Sequence, residues 1–153
     1  AAEKGHDGVV QLLLATRKIA VDSKDHSRQT PLLAAVRGGH ILVVELLLAT
    51  GKADVHAKDI TNQTPLSCAI EKGSTEVLKL LLANGKVDIN SDNGFGRTPL
   101  SYAAERGHTP VIQVLLDTGK VHLDCRDHQN QTPLFRAAER GRLATVKLLL
   151  NYG

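Results

Sequence analysis

The stretch Thr98-Pro99-Leu100-Ser101-Tyr102-Ala103-Ala104-Glu105-Arg106-Gly107-His108 decides the architecture of this chain. A Thr hydroxyl accepts a hydrogen bond from an orphan first-turn amide, Pro is preset for the first helical position, and Gly reaches positive φ without penalty. The stretch therefore predicts a short helix that starts after Thr98 and is ended by Gly107. The same Thr-Pro-Leu recurs at Thr30, Thr64 and Thr132, and each step is 34 residues. A Gly follows each Thr by nine residues (Gly39, Gly73, Gly107, Gly141) and another by 21 (Gly51, Gly85, Gly119, Gly153). Extending the phase backwards makes Gly5 the helix-ending residue of an earlier, partial unit. One array over residues 1–153 is expected, with a partial repeat 1–22, repeats 23–56, 57–90 and 91–124, and a terminal repeat 125–153.

After each helix-ending Gly comes a densely apolar block, as in Val43, Val44, Leu46, Leu47 and Leu48 or Val77, Leu78, Leu80, Leu81 and Leu82. Such a second helix needs cover on most sides, which its own partner helix cannot supply alone. Neighbouring repeats must stack, and the expected fold class is all-α: a solenoid of helix-turn-helix units joined by β-hairpin-like loops.

Composition agrees and excludes much. Hydrophobic residues make up 42% of the chain but aromatics only 3%, so the core must be aliphatic. With 19 basic against 16 acidic residues and a net charge of +3, no dense basic field exists, and nucleic acid is not expected as a partner. Two cysteines, Cys68 and Cys125, make no disulfide framework, which fits a reducing, cytoplasmic (intracellular) compartment. No apolar run approaches the roughly 20 residues of a membrane span. The chain starts without Met, and Leu148, Leu149 and Leu150 finish it without a polar cap. We therefore expect a monomeric part of a longer chain, with further repeats or caps on both sides.

Gln-Thr-Pro-Leu, then Ala-Ala-x-x-Gly-His, then Val-x-x-Leu-Leu resembles the ankyrin repeat along the whole chain, most closely from Thr98 to His108. The period of 34 in place of the family's usual value of about 33 comes from one extra residue in segments such as Gly85-Lys86-Val87-Asp88-Ile89-Asn90. Those units are similar to ones in long arrays of fungal regulatory proteins. The Gly expected two residues before each Thr survives only as Gly96; Asn62 and Asn130 tolerate positive φ there, and Arg28 tolerates it less well. Arg136 and Thr145 replace usually apolar positions, so packing should differ in the last repeat.

The resemblance implies a protein–protein interaction scaffold that binds a protein or peptide through a concave groove of hairpin tips and first helices. An intramolecular spacer or clamp within a larger signalling protein is the alternative. Carried over position by position, the contact residues include His26, Ile60, Phe95, Arg97 and His128 at the tips and Lys72, Arg106 and Arg140 before the helix-ending Gly. Ile60 and Phe95 are apolar at expected solvated tips, the pattern of a binding hot spot. Stacking should also set Glu71 beside Arg106 and Glu105 beside Arg140. No enzyme, cofactor or metal is expected. His122, Cys125 and His128 lack an evident fourth zinc ligand, and His6, His40 and His108 recur at one turn position, as structural residues do. Gly94-Phe95-Gly96 has no preceding strand to make it a phosphate loop.

Overall fold

The computed structural model describes residues 1–16, 18–93 and 96–153. After a 3-10 turn at Ala2–Lys4, nine α-helices follow among these residues, and no strand. They are α1 (Asp7–Ala15), α2 (Pro31–Gly38), α3 (Ile41–Ala49), α4 (Pro65–Lys72), α5 (Thr75–Ala83), α6 (Pro99–Arg106), α7 (Thr109–Asp117), α8 (Pro133–Glu139) and α9 (Leu143–Tyr152). The even-numbered helices stack in one row and the odd-numbered in a second, each unit pairing one helix from either row.

Each first helix begins as its sequence dictates. Thr30, Thr64, Thr98 and Thr132 accept from the backbone N–H of Leu33, Ser67, Ser101 and Phe135, and Pro follows every time. Loss of such a cap costs about 1 kcal/mol. The helices end in a Schellman arrangement: the N–H of His40, Ser74, His108 and Arg142 returns to the carbonyl of Ala35, Ala69, Ala103 and Ala137. Those four alanines are completely buried, leaving no room for a larger side chain where the units meet. The last first-row helix stops one residue early, with Arg140 off the helical path and Gly141 taking the positive φ.

Leu, Val and Ile fill the interface between the rows in two successive clusters, one around Leu33, Val44, Leu47 and Val77 and one around Leu78, Leu100, Ile112 and Leu115. The second-row helices are less enclosed than their sequences suggest. On α3, Val43, Val44 and Leu47 are buried, while Ile41 and Leu42 at its start face solvent. Burial follows the stacking direction and not hydrophobicity alone.

Arg136 and Thr145 do change the packing of the last unit. Both are buried, Arg136 against Asp127 and Thr145 through a 3.1 Å hydroxyl contact with Thr109 of α7. A polar link thus stands at this position between α7 and α9, beside the apolar packing of Leu149 and Val146 in the same cluster as Ile112 and Leu115.

The connecting loops are hairpin-like without forming strands. Each tip is crossed by a bond from the N–H of Asp25, Asp59, Asn93 or Asp127 to the carbonyl of Gln29, Gln63, Arg97 or Gln131, and in three of them a second bond returns from the N–H of Arg28, Asn62 or Asn130 to the carbonyl of the same aspartate. Bonds confined to one turn close a tip without extending into a ladder. All four tips require positive φ two residues before Thr: Gly96 at 70°, Asn62 and Asn130 at 61° and Arg28 at 57°. At Gly96 space also forbids a side chain, since a Cβ would sit 3.0 Å from the Asp127 Cα and 2.9 Å from the His128 ring. Arg28 is exposed and has only the backbone penalty to bear. Arg28→Gly should therefore stabilise the protein by about 0.5–1 kcal/mol, the left-handed cost less the extra entropy of an unfolded Gly. Urea denaturation midpoints measure it, and an unchanged or lower midpoint would contradict the assignment of strain to this residue.

Candidate groove of the tips and first helices

Three of the four tips are built from an aspartate five residues before the capping Thr, and Asn93 takes that place before Thr98. Asp59 Oδ1 accepts the N–H of Thr61 at 2.7 Å, the N–H of Gln63 at 3.0 Å and the Thr61 hydroxyl at 2.7 Å. Asp127 Oδ1 accepts from Gln129 and Gln131 in the same way, and Asp25 Oδ1 from Ser27 and Gln29. Adjacent tips are also tied by backbone, the Ile60 N–H donating to the Ser27 carbonyl at 3.1 Å.

Two of these carboxylates are buried and paired with arginine. Asp59 Oδ2 takes Arg37 Nη2 at 2.6 Å from the preceding unit, and Arg37 also reaches Gln63 Oε1 at 2.7 Å. Asp127 Oδ2 takes Arg136 of its own unit through Nε at 2.8 Å and through Nη2, with Gln129 Oε1 completing the fork. Burial pushes each carboxyl up, but for Asp59 the bonds from Thr61, Gln63 and Arg37 outweigh it, and for Asp127 those from Gln131, Arg136 and Gln129 do. Both end below the usual aspartate range.

Along the first row the expected charge ladder is present. Arg106 Nη2 lies 3.3 Å from Glu71 and Arg140 Nη2 lies 2.8 Å from Glu105. Glu105 is doubly held, because Arg97 Nη1 reaches its other oxygen at 2.8 Å. Exposed pairs of this kind contribute roughly 0.2–1 kcal/mol each. Arg106 also lies over the Tyr102 ring, 5.3 Å from its centroid, and donates to the Tyr102 hydroxyl at 3.1 Å. Beneath them the turn histidines bind units together: His40 Nε2 meets the Glu3 carbonyl at 2.9 Å and His108 Nε2 that of Glu71 at 3.2 Å. Arg142 holds the same place in the last unit, its Nε donating to the Glu105 carbonyl at 3.2 Å.

The residues singled out by sequence fall into three groups. Arg97, Arg106 and Arg140 line one cavity together with Tyr102, Glu105 and Arg142. His128 lines a neighbouring cavity that shares Arg97. Ile60, His26 and Lys72 are exposed, Ile60 at 63%, and line neither. Phe95 lies outside the described residues. Sequence reasoning overlooked the buried Asp59 and Asp127, although an aspartate recurs at this position in three of the four units, at Asp25, Asp59 and Asp127. It also overlooked Arg142, whose register with His40 and His108 was the available signal.

His122, Cys125 and His128 are not drawn together as ligands, and among the described residues no three His, Cys, Asp or Glu side chains are. Burial pushes both thiols up, away from the thiolate that metal binding or nucleophilic attack requires. No described helix is long and apolar enough to cross a membrane. A family model described as ankyrin repeats (3 copies) matches residues 1–93 and again 85–153. No curated protein matches the chain.

The depressed aspartates make stability depend on acid. A carboxyl held low in the fold stabilises it above the ordinary aspartate value of about 4, and that contribution drains as pH falls towards the folded value. Urea midpoints should drop as pH is lowered below about 4, and Asp127→Ala, which leaves the buried Arg136 only Gln129 and the more exposed Glu139 at 3.5 Å, should cost about 3 kcal/mol at neutral pH. A midpoint at neutral pH unmoved by Asp127→Ala would show that the pair contributes nothing.

Proposed function

Because this chain belongs to the ankyrin-repeat family, whose repeats are generally protein–protein interaction modules and typically non-enzymatic scaffolds, we propose that it binds a protein or peptide partner across its tips and first helices. The observation that carries this reading is Ile60. Its backbone is fixed by the bond to Ser27 while its side chain stands 63% exposed at a tip whose other polar groups are already satisfied by Asp59. A rigidly presented apolar side chain loses little entropy on binding and gains by desolvation. Phe95, flanked in sequence by Gly94 and Gly96, is assigned as the second anchor on that sequence argument. Arg97, Arg106, Arg140 and Lys72 provide a cationic border, with His26 and His128 at the outer tips.

The test places a photo-cross-linking residue at position 60 and, separately, at Lys147 on α9. The partner should be captured from position 60 and not from 147. Once it is in hand, Ile60→Ala should weaken binding by at least about 2 kcal/mol while leaving the urea midpoint in place, the size expected of a central anchor. Capture from Lys147 alone, or loss of binding with Lys147→Ala only, would move the interface to the second row of helices.

A further inference from the structure

Four guanidinium groups converge on one cavity of about 440 Å³, from the tip before α6 (Arg97), α6 (Arg106), the end of α8 (Arg140) and the turn that follows (Arg142). Glu105 is the one acid in its lining, and it is shared between Arg97 and Arg140. Glu71 answers Arg106. The bond from Arg142 ends on a backbone carbonyl and so leaves its charge uncompensated. Arg97 Nε also stands 4.0 Å from Asp127, but that carboxylate is already engaged by Arg136 and two tip amides. Positive charge is in excess here, although the chain as a whole balances 19 basic residues against 16 acidic ones.

The arginines are also positioned in advance. Arg106 is stacked on Tyr102 and Arg142 is tied to the Glu105 backbone carbonyl, and a planar fork held in place binds carboxylate with less loss of freedom than a mobile lysine. Arg106 spends two of its donors on protein acceptors and Arg142 one, out of the five that each guanidinium carries.

The surroundings discriminate between kinds of anion. Arg97 and Tyr102 line a second cavity too, a slot of about 110 Å³ in which Leu66, Ile70 and Pro99 form an apolar wall and polar residues, Lys58 and Asp92 among them, form the rest. A charged cavity that runs into a slot with an apolar wall suits an extended peptide whose acidic residues precede an apolar one. A nucleic acid would require a basic stripe instead of one local pocket.

We propose that this cavity receives the carboxylates of an acidic segment of the protein partner, with the following apolar residue in the adjoining slot. The proposal rests on the reading of the chain as an interaction module and specifies the chemistry of what it binds. Glu105 then acts as an internal competitor, occupying two of the arginines until partner carboxylates arrive.

Fluorescence anisotropy tests it, with a labelled peptide of consecutive glutamates followed by leucine and the same peptide carrying glutamines. The glutamate peptide should bind and the glutamine peptide bind at least about tenfold more weakly, a difference of one charge-assisted contact or more. The double variant Arg106→Ala/Arg140→Ala removes two surface pairs without touching the core and should weaken the glutamate peptide by about tenfold, with Lys147→Ala changing it less than about twofold. Glu105→Gln should tighten it about threefold by removing the competitor, a gain that unfolding cannot produce. Failure of the glutamate peptide to bind, equal binding of the two peptides, or binding indifferent to the double variant would overturn the proposal. The cross-linking at position 60 is read independently. A partner captured there and unaffected by the double variant leaves the interaction role standing and removes this cavity from it.

Discussion

Everything in this molecule depends on burial supplied by the neighbouring unit. Val9, Val43, Val77 and Val111 occupy the same register of successive second-row helices, yet Val9 is 50% exposed while the other three are at most 1% exposed. The residue type is constant and only the stack on its flank differs. Each helix is too short to be stable alone in water, so its hydrogen bonds persist because the adjacent unit covers its side chains. Stability is therefore a property of interfaces, and every interface must keep one register. The sequence separations of the polar links between units show that it does: 37 residues for His40 to Glu3, His108 to Glu71 and Arg142 to Glu105, and 35 for Arg106 to Glu71 and Arg140 to Glu105.

That constancy explains which features were legible in the sequence. Capping Thr, helix-ending Gly and the left-handed position before Thr each follow from local backbone physics, so a residue-by-residue reading found them, including the awkward Arg28. The charge ladder was legible because it needs only the period and a fixed offset. Less was visible where long side chains choose among rotamers. Nothing in the spacing of Arg37 says that it crosses to the next tip, or that Arg136 turns to its own. The convergence of Arg97, Arg106, Arg140 and Arg142 depends on four such choices at once.

Asp59 and Asp127 illustrate how a repeat protein solves one problem twice. A buried carboxylate is costly unless its lone pairs are satisfied. At both tips the backbone amides occupy one oxygen, leaving the other to seek a cation. Position 37 supplies it for Asp59 from the preceding unit, which locks two units together; position 136 supplies it for Asp127 from within, which stiffens one unit only. The first solution ties a first helix to the next unit's tip; beside the second, Arg97 stands 4.0 Å from Asp127 and makes its closer contact with Glu105 at 2.8 Å.

This division separates what holds the array together from what it presents. Among the groups that hold the units together, the turn histidines and Arg142 end on backbone carbonyls of the preceding unit, and the alanines where the units meet are completely buried. The side chains that face outward, Ile60, Arg106 and Arg140, engage the fold only at its surface, Arg106 through Glu71 and Tyr102 and Arg140 through Glu105. Substitution at the second set leaves the first intact, so the groove can change its chemistry without changing its shape. Glu105 is where the two meet. Its carbonyl serves the stack through Arg142 and its carboxylate, 13% exposed, orders two groove arginines. One residue thus serves the stack with its main chain and the groove with its side chain, at the junction of the last two units, where Thr109 and Thr145 add a polar contact between the second-row helices.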